Sequence, residues 1–167
     1  MKTKTQNNDV GGRIPLLSFP MKAHHLLLFL LFPCFCMGTT NINISVRATV
    51  YNHMLRSINP PHYDVFFIDE DIDSFALIKD ELTPKKGIQC NRSKEANIKD
   101  GAVQGIKETS SGIIIKATII TLDKGSAIVT GSWFSTSKAS QSIKYWLELN
   151  TKTGKWIITK KKVLMTS

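Results

Sequence analysis

The sequence predicts an α+β domain: one or two N-terminal helices packed on a curved antiparallel sheet that closes with a four-strand meander. Three observations carry this expectation. Val46, Val50, Met54 and Ile58 recur every fourth residue, as on one face of a helix. Phe75, Ile78 and Leu82 repeat three and four apart behind a run of carboxylates. From Ile88 onward the chain is β-branched segments separated by turns.

The first element is ambiguous in detail. Ile42, Ile44, Val46, Ala48 and Val50 alternate as in a strand, but the alternation stops at Val50 while the fourfold spacing runs on to Asn59-Pro60-Pro61. The spacing predicts a helix over about residues 45–57, with Asn43 or Ser45 as its cap. "YDVFFID" then reads as a short strand. "DEDIDSFALIKDEL" reads as a short helix whose carboxylates suit the partial positive charge of a helix N-terminus, and Pro84 stops it.

Ile88 and Cys90 begin another strand, and "NRSKEANIKDGAVQG" is a polar loop or an irregular edge. The meander follows as "GIIIKATIITL", "SAIVTGSWFS", "QSIKYWLELN" and "KWIITKKKVLM", with turns at "DKG", "TSKAS" and "TKTG". Gly131 inside its strand is read as a bulge or a sharp bend. Trp156, two residues past a glycine turn, is read as core, and the apolar residues on both sides of its strand predict that both faces are covered.

The 167 residues suffice for one domain. Residues 39–167 are assigned to it and residues 1–38 to a leader. Lys22, His24 and His25 form a charged start, and Leu26 to Phe32 is an unbroken apolar run. Cys36 and Gly38 are the small residues that a signal peptidase inspects. The apolar stretch from Leu26 to Met37 has 12 residues, against roughly 20 needed to cross a bilayer. An exported protein, periplasmic or secreted, with its start at Met21 and cleavage after Gly38, is therefore expected. The alternative is a membrane-anchored protein that retains residues 26–37. After cleavage Cys90 is the one remaining cysteine, so neither an internal disulfide nor a cysteine metal cluster is expected.

The formal net charge is +9, unevenly placed. Residues 39–84 hold seven acidic groups against three basic ones, and residues 85–167 hold 15 basic against five acidic. The lysines are spread along strands and turns, which reads as a solvated face rather than a nucleic-acid groove. Trp146, Trp156 and Tyr145 stand near lysines, but strand periodicity accounts for them without base stacking. Asp69, Asp71 and Asp73 have calcium-loop spacing, yet the loop's sixth and twelfth positions are Ser74 and Asp80, where glycine and a bidentate glutamate are needed. Helix capping is the reading kept. No nucleophile elbow, phosphate loop, zinc-protease motif or dinucleotide fingerprint is present, so no cofactor and no metal are expected.

The order of helix, short strand, acid-capped helix, strand ending in cysteine, and closing meander resembles a group of uncharacterised exported bacterial domains. More loosely it is similar to the nuclear transport factor two-like and cystatin-like rolls. The residues carrying the likeness are Asp71 with Phe75, Cys90, residues 131–134, 145–149 and 154–158. The resemblance implies a fold over about residues 45–167 and no chemistry.

A helix on a curved sheet leaves a hollow, and apolar hollows are default binding sites. The first expectation is thus a non-enzymatic module that binds a small apolar ligand or a protein partner, with Ile115, Ile119, Trp133, Tyr145 and Leu147 as lining. The second is a small enzyme of the same roll, using Asp64 and His53 as acid and base. The third is a membrane-tethered domain that turns its lysines to anionic lipid, which requires an uncleaved leader.

Overall fold

The structure is a computed structural model that describes the backbone of residues 24–58, 63–107, 110–136 and 139–167, with side chains from residue 41 onward. The chain divides into two units, Met1–Phe35 and Cys36–Ser167, and the α+β fold is that of the second. Two helices pack with a mostly antiparallel eight-stranded sheet that ends in the expected meander.

Helix α1 runs from His24 to Ser57. It starts well before the expected residue 45, so Asn43 and Ser45 lie inside it and cap nothing. Their carbonyls accept instead from Arg47 Nε and Thr49 Oγ1 one turn on. Ile44, Ala48, Tyr51 and Leu55 form one buried stripe, and Val46, Val50 and Met54 form a second beside it. At about 100° per residue the two stripes bury more than half the helix circumference. That double stripe is why residues 42–50 alternate like a strand while being helical.

Strand β1 (Tyr63–Ile68) leads into α2 (Ile72–Glu81) and β2 (Gln89–Arg92). Asp71 caps α2, its carboxylate accepting from the Asp73 and Ser74 amides at 3.1 and 2.9 Å. This is the capping role expected of "DEDID". Ile78 is the fully buried residue of α2. β1 pairs in parallel with both β2 and β5 (Ser111–Leu122), so this end of the sheet departs from the antiparallel expectation. A parallel strand between two neighbours is covered on both faces. Val65, Phe66, Phe67 and Ile68 are accordingly all buried in succession.

The polar segment after β2 forms a short 3-10 turn, Ser93–Glu95, and a small hairpin of β3 (Ile98–Lys99) and β4 (Ala102–Val103). The hairpin reverses at Asp100 and Gly101, with φ of 52° and 74°, conformations that favour Asx and Gly. Val103 with Val65 and Phe67 makes a second, smaller core on the sheet face away from α1, joined by Ala96, Ile114 and Phe134.

β5, β6 (Ser126–Thr136), β7 (Ala139–Asn150) and β8 (Lys155–Thr166) form the meander. Gly131 sits in regular register with Ala117 and Ile143, which corrects the bulge assigned to it. A Cβ there would stand 2.8 Å from Tyr145 Cε2 and 3.0 Å from Met54 Sδ. The glycine lets α1 approach the sheet. The register shifts of β6 lie instead beyond Ile119 and Phe134, and β7 with β8 shifts between Ser142 and Ile143 and between Trp146 and Leu147. Between β7 and β8, Asn150 accepts the Lys152 and Thr153 amides through its side chain, and Gly154 takes a φ of 66°. Trp156 leaves that turn into the main core at 7% exposure. Its neighbour Ile157 is 47% exposed, so the face of β8 away from α1 is open and the expected double coverage fails.

The leader assigned to residues 1–38 lies outside the residues whose side chains are described. Among the described residues no helix is long and apolar enough to cross a membrane.

Candidate functional site

Among the described residues three of the concavities border α1, and the way each spends its polar groups separates them. The first lies between α1, the β1–α2 loop and β5, a hollow of about 610 Å³. Its wall carries Arg47, Lys94, Lys116, Asp69, Glu70 and Asp71. Glu70, with its side chain 5% exposed, pairs with the Arg47 guanidinium and accepts the Tyr51 hydroxyl at 2.8 Å. The Tyr51 oxygen in turn accepts the Ala117 amide at 2.9 Å. Burial holds the Glu70 carboxyl above its usual range despite the Tyr51 and Arg47 contacts. Burial and then the Glu70 charge hold the Tyr51 phenol well above its own.

Lys116 bonds Asp69 at 2.8 Å, and this contact holds the Asp69 carboxyl low and the Lys116 ammonium high. Asp71 is occupied as the cap. Apart from the exposed Lys94, the charged groups of the first hollow thus already satisfy one another, and what they do is join α1 to β5. The second concavity, beside Trp156, is similar: Asn52 bonds the Glu81 carbonyl and the Thr83 amide, and Arg56 bonds Thr83.

The third is different. At the C-terminal end of α1, His53, Met54, Ser57 and Ile58 face Trp133, Gln141, Ile143, Tyr145, Lys161 and Val163 across a groove of about 370 Å³. Strand alternation puts Ile143, Tyr145, Lys161 and Val163 on the helix side of the sheet, in paired register. Tyr145 is fully buried, and its hydroxyl has no hydrogen-bond partner among the described residues. Burial pushes that phenol up to about 12, so it is a neutral donor. The His53 ring meets Tyr145 edge-on with centroids 5.5 Å apart. Burial, then the charges of Lys161 and Arg56, hold the His53 imidazole below its usual range.

The expected lining residues do not share one cavity. Ile115, Tyr145 and Leu147 belong to the main core, and Ile119 and Trp133 pack partly buried against it. Tyr145 and Trp133 line the groove, whereas Ile119 lines the first hollow. The acid–base pair is likewise divided. Asp64 is spent on the 105–110 loop, accepting the Ser110 hydroxyl at 2.8 Å and the Ile106 and Lys107 amides. Burial pulls its carboxyl up, and these bonds outweigh it and hold it below the usual range. Among the described residues no three His, Cys, Asp or Glu side chains stand together as a metal site. Cys90 is buried in β2 and its thiol is pushed up to about 11 by that burial, so it is a poor nucleophile at neutral pH.

Compared with known proteins, the chain matches no family model, no curated protein and no solved structure. The sequence does not single out His53, Gln141 and Lys161 as lining. Alternation from Trp156 and Ile158 would put Lys160 and Lys162 on the core-facing side, and Lys161 and Val163 reach it only through the register shift between Trp146 and Leu147, which the sequence does not announce.

Proposed function

We propose that residues 39–167 form an exported, non-enzymatic binding module whose seat is the groove at the end of α1. The observation that carries this reading is the unpartnered, buried Tyr145 hydroxyl in the groove's wall. A buried donor left unmade costs roughly 1–3 kcal/mol, which a ligand acceptor recovers. Lys161 adds a cation, Gln141 an amide, and Met54, Ile58, Trp133, Ile143 and Val163 an apolar bed. That combination suits a small amphipathic acid, its carboxylate toward Lys161 and Tyr145 and its chain along the apolar residues.

The test is thermal unfolding with octanoate and with octanol. Octanoate at a hundred times its Kd adds about 2.7 kcal/mol and raises the midpoint by several degrees, while octanol does much less. An anion beside Lys161 also moves the His53 titration upward, opposite to the present effect of that lysine. Equal shifts with both compounds, or none with either, would overturn the reading.

A further inference from the structure

Among the described residues the sheet ends on three strands, β2, β3 and β8, and they are unlike. β2 has four residues, and its end runs directly into the Ser93–Glu95 turn, where Arg92 pairs with Glu95, while β3 has only two. β8 has twelve residues and, among the described strands, pairs with β7 alone. Its second row of backbone donors and acceptors is therefore open. An edge so long is a template for a further strand.

The side chains of β8 say which strand. On the face away from α1, register places Lys160 opposite Trp146, Lys162 opposite Lys144, and Ile157 opposite Glu148. Lys144 and Lys160 both stand over the Trp146 ring, at 5.2 and 5.1 Å from its centre. Lys144 and Lys162 are like charges directly opposed across the strands, an arrangement that costs stability. Among the described residues none of the three makes an ion pair. Lysine on an edge is a common guard against aggregation. Guarding alone leaves unexplained why the same strand exposes Ile157, Leu164 and Met165, each about half accessible or more. Pairing of two β8 strands in antiparallel fashion about Lys161 would bring Lys160 against Lys162, so a second copy of this chain is disfavoured. Base stacking is also disfavoured, because two ammonium groups already stand over Trp146.

We infer that the free edge of β8 receives an extended segment of another protein that carries acidic side chains at alternate positions, adding it as a ninth strand. Strand period two puts those acids on the Lys160–Lys162 face, and the backbone of β8 supplies the affinity common to such additions. The mode is independent of the groove, which opens on the opposite side of the sheet.

A labelled synthetic peptide alternating glutamate with valine tests this by fluorescence anisotropy on the full chain, alongside amide exchange. Binding is expected with slowed exchange along β8. It should weaken by about tenfold or more in K160E/K162E and vanish when alternate peptide amides are N-methylated. The thermal midpoint of the variant, expected to equal the parent's, shows that it is folded. Undiminished binding of the N-methylated peptide means charge adsorption alone and overturns the proposal, as does no binding at all. Concentration-dependent protection of β8 without peptide means that a second copy takes the edge, which also overturns it.

Discussion

β1 and β8 are both strands of one sheet, and their burial could hardly differ more. In β1 four consecutive side chains, Val65 to Ile68, are shielded, two toward α1 and two toward the β3–β4 hairpin. In β8 burial touches one face and only near the start: Trp156 is inside, Ile157 outside, and residues from Thr159 onward are exposed. β1 has a neighbour on each edge and a layer on each face, whereas β8 has one neighbour and one layer. A run of apolar residues in a strand therefore has two meanings. It marks a strand enclosed by its own chain, or a surface left for something else.

Adjacent-residue substitutions sharpen that comparison. Phe66→Ala should cost about 3–5 kcal/mol, and Phe67→Ala should also be costly, because each faces a different core. In β8, Trp156→Ala should cost roughly 3–5 kcal/mol while Ile157→Ala stays within about 0.5 kcal/mol. Denaturant unfolding of the four variants measures all of this. Equal losses at positions 156 and 157 would break the contrast. Next in size is Gly131→Val, expected to cost about 1–3 kcal/mol through collision with Tyr145, Met54 and Val50.

A smaller effect concerns pH. Burial holds the His53 pKa below its ordinary 6.5, so the unfolded chain binds more protons as the solution is acidified below that value. Stability on this account is present above the unfolded pKa and is lost as pH falls through the window beneath it. His53→Asn should flatten the dependence of the thermal midpoint in that window, and an unchanged slope would remove His53 from the groove's account. Smallest of all, K160E/K162E should leave stability within about 0.5 kcal/mol, since these lysines are exposed and the lost Lys160–Trp146 contact offsets the relieved Lys144–Lys162 repulsion.

Sequence periodicity reached the elements that bury one regular face. It placed α2 behind its capping carboxylates, of which the structure selects Asp71, together with the four strands of the meander and the turn before Trp156. It failed where two patterns overlap or where the partner is distant in the chain. The double stripe of α1 mimicked alternation. The continuous run Val65 to Ile68 is the mark of an enclosed strand, but which strands it pairs with, and that it pairs in parallel with β5, depends on segments distant in the chain. The small outer core was hidden because Val103 stands in a largely polar segment whose few apolar residues follow no regular period. Two of the five expected lining residues reached the groove, and its polar members come from α1, β7 and β8, brought together only by the fold.

The measurement that bears most directly on the groove as a binding seat is the paired effect of Tyr145→Phe on stability and on octanoate affinity. Removing an unpartnered buried hydroxyl while keeping the ring should stabilise the free protein by up to about 1–3 kcal/mol, and the same change should weaken octanoate. Opposite signs in the two readings are the predicted result. A Tyr145→Phe protein that is less stable than the parent, or that binds octanoate as well as the parent does, would contradict the account.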